Sequence, residues 1–207
     1  NNSNLTNTNF NNAKMANSKI KNSDFSNSTF INTDMPTTEI ENSIFMNVNF
    51  EKVNLTSSTI NNSNFEKANF NLGKMYGVII NSSILDEAII TNANIQKSTL
   101  SLSSFIKVNF NKSLLSLSLM DSTNLSSSNL SQSKARGVNF SNSNLEFADL
   151  SSATFRRSIF LKSNMKNIKY KGANFYKSVF TGADMSTIMS ENIHFKKSIL
   201  CKTKMKD

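Results

Sequence analysis

The side chains that could do chemistry in this chain are few. Among 207 residues there is one histidine, His194, and one cysteine, Cys201. A thiol beside an imidazole can act as a nucleophile with its base. Here both residues fall on water-facing positions of the repeat described below and read as surface residues. No Cys/His cluster with metal-ligand spacing, Gly-rich phosphate loop or nucleophile elbow accompanies them. No catalytic, cofactor-binding or metal-binding residue is therefore assigned, and the segment reads as non-enzymatic.

Cations are the stronger signal. The chain carries 23 Lys and Arg against 14 Asp and Glu, a net charge of +9. Residues 1–150 hold 11 of each sign, whereas residues 151–207 hold 12 basic against 3 acidic residues, so the whole excess lies there. Arg136, Arg156 and Lys196 recur at multiples of twenty, as do Arg157, Lys177 and Lys197 one place later, and Tyr176 sits among them. If twenty residues make one turn of a stacked structure, these residues form a ridge about 4.8 Å per step down one corner. Like charges so close repel one another. The ridge then has three readings: a docking site for an acidic protein or adjacent domain, a nucleic-acid contact, or a solubilising edge. Nothing nearby reads bases, and aromatic interleaving is limited to Tyr176.

The elements that place these residues follow from an unusual hydrophobic period. The stretch "EKVNLTSSTINNSNFEKANF", Glu51 to Phe70, ends each block of five on a large apolar residue. Helices want apolar residues every three or four positions and strands every two, so five fits neither. The register runs from Leu5 to Met205 without a slip. Of its 41 positions, 39 are Leu, Phe, Ile, Met or Tyr, the exceptions being Ala135 and Ser190. Fifteen of the sixteen Phe lie on it, Phe147 alone standing off. Two places before each centre the residue is always Ser, Ala, Thr, Val, Ile or Gly. Such an internal repeat decides the fold before local propensity does.

A second period of twenty lies above the first. The column from Ile20 reads Ile20, Ile40, Ile60, Ile80, Leu100, Met120, Phe140, Phe160, Phe180, Leu200. Four fives thus make one coil, and about ten coils stack to roughly 50 Å. Large centres and the small residues two before them point inward, by strand alternation. The Phe-rich columns exchange after Phe140, which holds core volume constant from layer to layer. Asn and Ser suit the corners, where their side chains bond nearby backbone.

The triplets "VNL" at Val53–Leu55, "ANF" at Ala68–Phe70 and Ala173–Phe175, "ADL" at Ala148–Leu150 and "ADM" at Ala183–Met185 carry a resemblance. With them the whole chain resembles the pentapeptide-repeat family, whose pattern is A(D/N)LXX. The resemblance implies an all-β fold, a right-handed parallel quadrilateral β-helix, as a single domain over residues 1–207. Ala135 then leaves a thin layer, and a bulge near Met189 and Ser190 is expected.

The family's best-known function is mimicry of duplex DNA at type II topoisomerases, which needs an acidic surface; a pI of about 9.7 argues against it here. Similar Asn/Ser/Lys-rich repeats occur in secreted bacterial effectors, including HECT-like ubiquitin ligases in which a β-helix recruits substrates. The resemblance therefore implies a non-catalytic interaction scaffold of that kind, with any ligase cysteine outside this sequence. A basic nucleic-acid-binding solenoid is the alternative.

One cysteine permits no internal disulfide, which fits a reducing cytosol, including a host cytosol after secretion. No apolar run approaches the length of a membrane span. An outward column, Ile79, Thr99, Leu119, Asn139, Ile159, Val179 and Ile199, with Leu114 and Leu117, points to a partly apolar face. The repeat is in register at both ends of the sequence. The domain is accordingly expected to be part of a larger protein, its end covered by flanking sequence or by an end-to-end homodimer.

Overall fold

The computed structural model describes residues 1–189 and 195–206. Its regular strands are short: β1 Lys19–Lys21, β2 Glu39–Glu41, β3 Thr59–Asn61, β4 Ile79–Asn81, β5 Asp184–Met189 and β6 Lys204–Lys206. The first four form one parallel sheet in the order β1-β2-β3-β4, with Ile20, Ile40, Ile60 and Ile80 in register. The other three sides pair the same way through single bridges twenty residues apart, such as Asn4 to Asp24, Asn9 to Thr29 and Lys14 to Asp34. Each coil binds its neighbours above and below. The Phe25 N–H donates to the Ile44 carbonyl at 2.8 Å, and the Asp24 N–H donates to the Ser3 carbonyl at 2.9 Å. This is the four-sided solenoid that the two sequence periods predict.

The centres fill the interior. Rings stack along columns: Phe45 on Phe25 at 4.9 Å and Phe65 on Phe45 at 4.8 Å, each with an interplanar angle of 2°. After Phe140 the stacks continue in the exchanged columns, Phe160 to Phe180 at 4.9 Å and Phe155 to Phe175 at 5.4 Å. Complete burial of one such side chain contributes roughly 2–3 kcal/mol. Ala135 is buried in its layer as expected.

The corners turn on backbone geometry that the pattern only hints at. All residues of positive φ, 35 non-glycine and four glycine, sit two places after a centre. Many are Asn, such as Asn12, Asn27 and Asn47, whose side chain tolerates the left-handed region. Leu72, Leu102, Leu117 and Phe147 also adopt it, with φ of 58–65°. In many corners the turn closes directly, as where the Ala68 N–H donates to the Phe65 carbonyl at 3.0 Å.

In others the turn is open and a serine one coil on is inserted. The Ser158 hydroxyl donates to the Ala135 carbonyl at 2.7 Å and accepts from the Val138 N–H at 3.3 Å. Ser58 does the same for Met35 and Thr38, and Ser118 for Ile95 and Ser98. The small inward residue is therefore chosen for its hydroxyl as well as its size.

Among the described corner positions, Thr187 alone lacks the positive φ. It lies within β5, which runs straight for six residues. Its pairing with β6 shifts: Asp184 faces Lys204 and Met185 faces Met205, but Met189 faces Lys206. The irregularity expected near Met189 is thus a register shift in which a corner is lost. Ser190 and His194 lie outside the described residues.

Candidate interaction site at the basic corner

The ridge is built on four consecutive layers. Arg136 follows the buried Ala135, Arg156 and Arg157 follow the buried Phe155, and Tyr176 and Lys177 follow the buried Phe175. Lys196 and Lys197 follow the half-buried Phe195. Backbone bonds lock the corners together: the Gly137 N–H donates to the Arg156 carbonyl at 2.9 Å, Arg157 to Tyr176 at 2.9 Å and Lys177 to Lys196 at 3.1 Å. Arg157, Lys177 and Lys197 each take the left-handed corner position, with φ near 60°. The six cations are exposed and Tyr176 is half-buried.

Sequence spacing predicts a line of charges; the structure makes a cluster with an aromatic centre. The Arg156 guanidinium lies 5.1 Å from the Tyr176 ring centroid, Lys177 Nζ 5.5 Å and Lys197 Nζ 5.9 Å. These distances fall within cation–π range. Beside the ring opens a pocket of about 530 Å³ lined by Arg156, Gly172, Ala173, Asn174, Tyr176 and Lys196. Asn174 Oδ1 accepts the Tyr176 N–H at 3.0 Å, which fixes the chain at the pocket edge. Gly172, at φ +74°, keeps the floor low; a Cβ there would meet Ser152 Oγ at 3.3 Å. Among the described residues, no carboxylate forms an ion pair with any of the six ridge cations.

Cations elsewhere are neutralised along the stack. Lys19 pairs with Glu39 at 3.0 Å, Lys21 with Glu41 at 2.6 Å and Lys107 with Glu87 at 3.3 Å. Lys166 pairs with Asp184 at 3.3 Å. Partial burial pushes the Asp184 carboxyl up, but hydrogen bonds from Ser186 and the Lys166 ammonium outweigh it and leave its pKa below the usual value. Tyr76 and Lys97 repeat the aromatic–cation pair one hundred residues earlier on the same corner, at 5.4 Å, as a single contact.

The outward column beside the ridge is exposed where expected: Ile79 39%, Leu119 46%, Ile159 39% and Ile199 54%, with Leu117 at 58% on the corner. Sequence reasoning passed over Phe147, 58% exposed at a corner of the repeat, and Leu102, 66% exposed. For Phe147 the signal was present, since it is the one Phe off the register. Cys201 is exposed, while its supposed partner His194 is outside the described residues. No group of three or more metal-ligating side chains occurs among the described residues, and no helix is long and apolar enough to cross a membrane.

Comparison with known proteins agrees with this geometry. Residues 3–80 match the family model "Pentapeptide repeat region", and residues 123–161 match "Pentapeptide repeats (8 copies)". Together these segments span more than half of the chain. The chain belongs to the pentapeptide-repeat family. Its fold is the right-handed quadrilateral β-helix of that family, seen also in two similar solved structures. HetL, a pentapeptide-repeat protein involved in heterocyst differentiation regulation in the cyanobacterium Nostoc sp. strain PCC 7120, matches with a TM-score of 0.50 at 19% identity, covering 92% of this chain and 89% of that one. A trypsin-treated form of QnrB1, a plasmid-mediated fluoroquinolone resistance protein, matches with a TM-score of 0.54 at 14% identity, covering 99% of this chain and 91% of that one. No curated protein matches the sequence significantly. At these identities the likeness carries the fold of the pentapeptide-repeat chain and no partner.

Proposed function

We propose that this repeat is a non-catalytic scaffold that holds an acidic protein surface, or an adjacent acidic domain, against Arg136, Arg156, Arg157, Tyr176, Lys177, Lys196 and Lys197. The observation that carries the reading is the unneutralised cation cluster, in a chain whose other cations include several paired along the stack. Ile159, Val179 and Ile199 beside it supply apolar contact area next to the charges, as interface cores require. The basic sign opposes mimicry of DNA, which needs the reverse charge. A narrower placement, as the substrate-recruiting β-helix of a HECT-like effector ligase, rests on the Asn/Ser/Lys-rich composition alone. The full reading frame around residues 1–207 would decide it.

Two charge reversals of equal size test the scaffold reading. One is Arg156→Glu, Arg157→Glu and Lys177→Glu on the ridge; the other is Lys14→Glu, Lys52→Glu and Lys74→Glu far from it. Binding to a labelled poly-glutamate peptide and to a short DNA duplex is followed by anisotropy at about 150 mM salt. The ridge reversal should weaken peptide binding by roughly tenfold or more, the remote one by far less. Equal losses would mean that only net charge matters. Preference for the duplex, with a steep salt slope, would make the chain a nucleic-acid binder instead.

A further inference from the structure

The ridge has more internal structure than a general acidic surface needs. Its cations are not spread evenly down the corner. Arg156, Lys177 and Lys197 lie within 5.9 Å of one ring, and Arg156 and Lys196 also line the pocket beside it. A single carboxylate carries one charge and matches one guanidinium. A compact dianion, with three acceptor oxygens, matches several converging cations. The pocket wall adds a second constraint. The Tyr176 ring, Ala173 and the bare Gly172 backbone give a flat, low surface next to the charges, with Asn174 as the remaining polar lining. Its volume of about 530 Å³ is that of a site for a small group. Arg156 is held by its ring contact, so its fork is ordered before a ligand arrives.

We propose that this pocket receives a phosphate monoester on an aromatic ring, a phosphotyrosine side chain of the protein partner. The phosphate sits among Arg156, Lys196 and the ammonium groups of Lys177 and Lys197, and the ring lies along Tyr176 over Gly172 and Ala173. The inference rests on the scaffold reading and narrows it: phosphorylation of the partner then switches docking on, because the unmodified tyrosine brings no charge to the cluster.

The test uses three fluorescein-labelled peptides on a neutral Gly/Ser/Ala background, carrying phosphotyrosine, tyrosine or glutamate at the centre. Anisotropy at about 150 mM salt should show the phosphotyrosine peptide binding at least roughly tenfold more tightly than the other two. Arg156→Gln should cost about tenfold, Tyr176→Leu a measurable part of that, and Lys162→Gln with Lys202→Gln, basic residues outside the pocket, less than about twofold. Phosphotyrosine amino acid should displace the peptide better than inorganic phosphate does. If the glutamate peptide binds as well as the phosphorylated one, the phosphate assignment is wrong while the acidic-partner reading stands. If inorganic phosphate competes as well as phosphotyrosine, the ring wall contributes nothing and the aromatic assignment is wrong. If adenosine monophosphate or the DNA duplex displaces the peptide more strongly, the ligand is a nucleotide or nucleic acid, and the proposal is overturned. Failure of all three peptides, with poly-glutamate still bound in the preceding assay, overturns this inference alone.

Discussion

Ser158 and Ser133 occupy the same place in the five-residue frame, and both are buried, yet replacing each by alanine should have opposite effects. Ser158 bridges an opened corner: its hydroxyl is the partner of both the Ala135 carbonyl and the Val138 N–H, which form no bond with each other. The corner beneath Ser133 is already closed, the Ser113 N–H donating to the Phe110 carbonyl at 3.0 Å, and the Ser133 hydroxyl has no partner. Ser158→Ala therefore orphans two buried backbone groups, at about 1–3 kcal/mol each when unrelieved. Closed corners elsewhere, such as Val48 to Phe45 at 3.4 Å, show that this corner can tighten and recover part of the loss. A net cost of about 2 kcal/mol is expected, near the lower end of the sum. In a chain of this size that lowers Tm by roughly 4–8 °C. Ser133→Ala removes an unpaired buried hydroxyl and should be neutral or stabilising, by up to about 1 kcal/mol. Urea melts of the two variants and the parent, compared at constant m, give the difference. If Ser133→Ala destabilises as much as Ser158→Ala, the inward serines matter for size alone and the bridging account is wrong.

Four further outcomes follow from the same geometry. Phe65, fully buried and stacked on Phe45, should cost about 3–5 kcal/mol as Phe65→Ala, and hydrogen exchange should show the coils around it opening first; a loss below about 1 kcal/mol would mean the ring is not in the stack. Phe147→Asn should raise Tm by a few degrees, since an exposed side chain at φ 60° is replaced by one that tolerates it, and a fall would show that Phe147 packs usefully. Because the Asp184 pKa is depressed in the folded state, its contribution is present above the carboxylate's ordinary pKa and is lost as pH falls through the folded value. Asp184→Asn should accordingly shrink the acid-side loss of Tm, a change to be read from melts across that range. Neutralising the unpaired ridge with Arg157→Gln and Lys177→Gln should leave Tm unchanged or higher at low salt, the gain fading as salt is added; a drop would show that these cations are paired in solution.

Much of this molecule is written along one dimension. The period of five fixes which side chains point inward, and the period of twenty fixes which residues stack. Phe65 on Phe45 and Ile40 on Ile20 could thus be placed from spacing alone. The ridge was legible for the same reason: in a solenoid, sequence position gives both height and side, so residues twenty apart are neighbours without any long-range folding to infer. The apolar column from Ile79 to Ile199 was legible in the same way. What the period leaves open is everything that depends on backbone angle and on exact reach. It does not say that corners run through positive φ, since Asn, Lys, Leu and Phe all occupy that place. It does not separate Ser158, whose hydroxyl finds a carbonyl 23 residues back, from Ser133, whose hydroxyl finds none. Nor does it show β5 running straight where a corner was due, or the ridge cations gathering on Tyr176 beside a pocket. Those are decided by distances of an ångström or two between neighbouring coils, and only the stacked structure sets them.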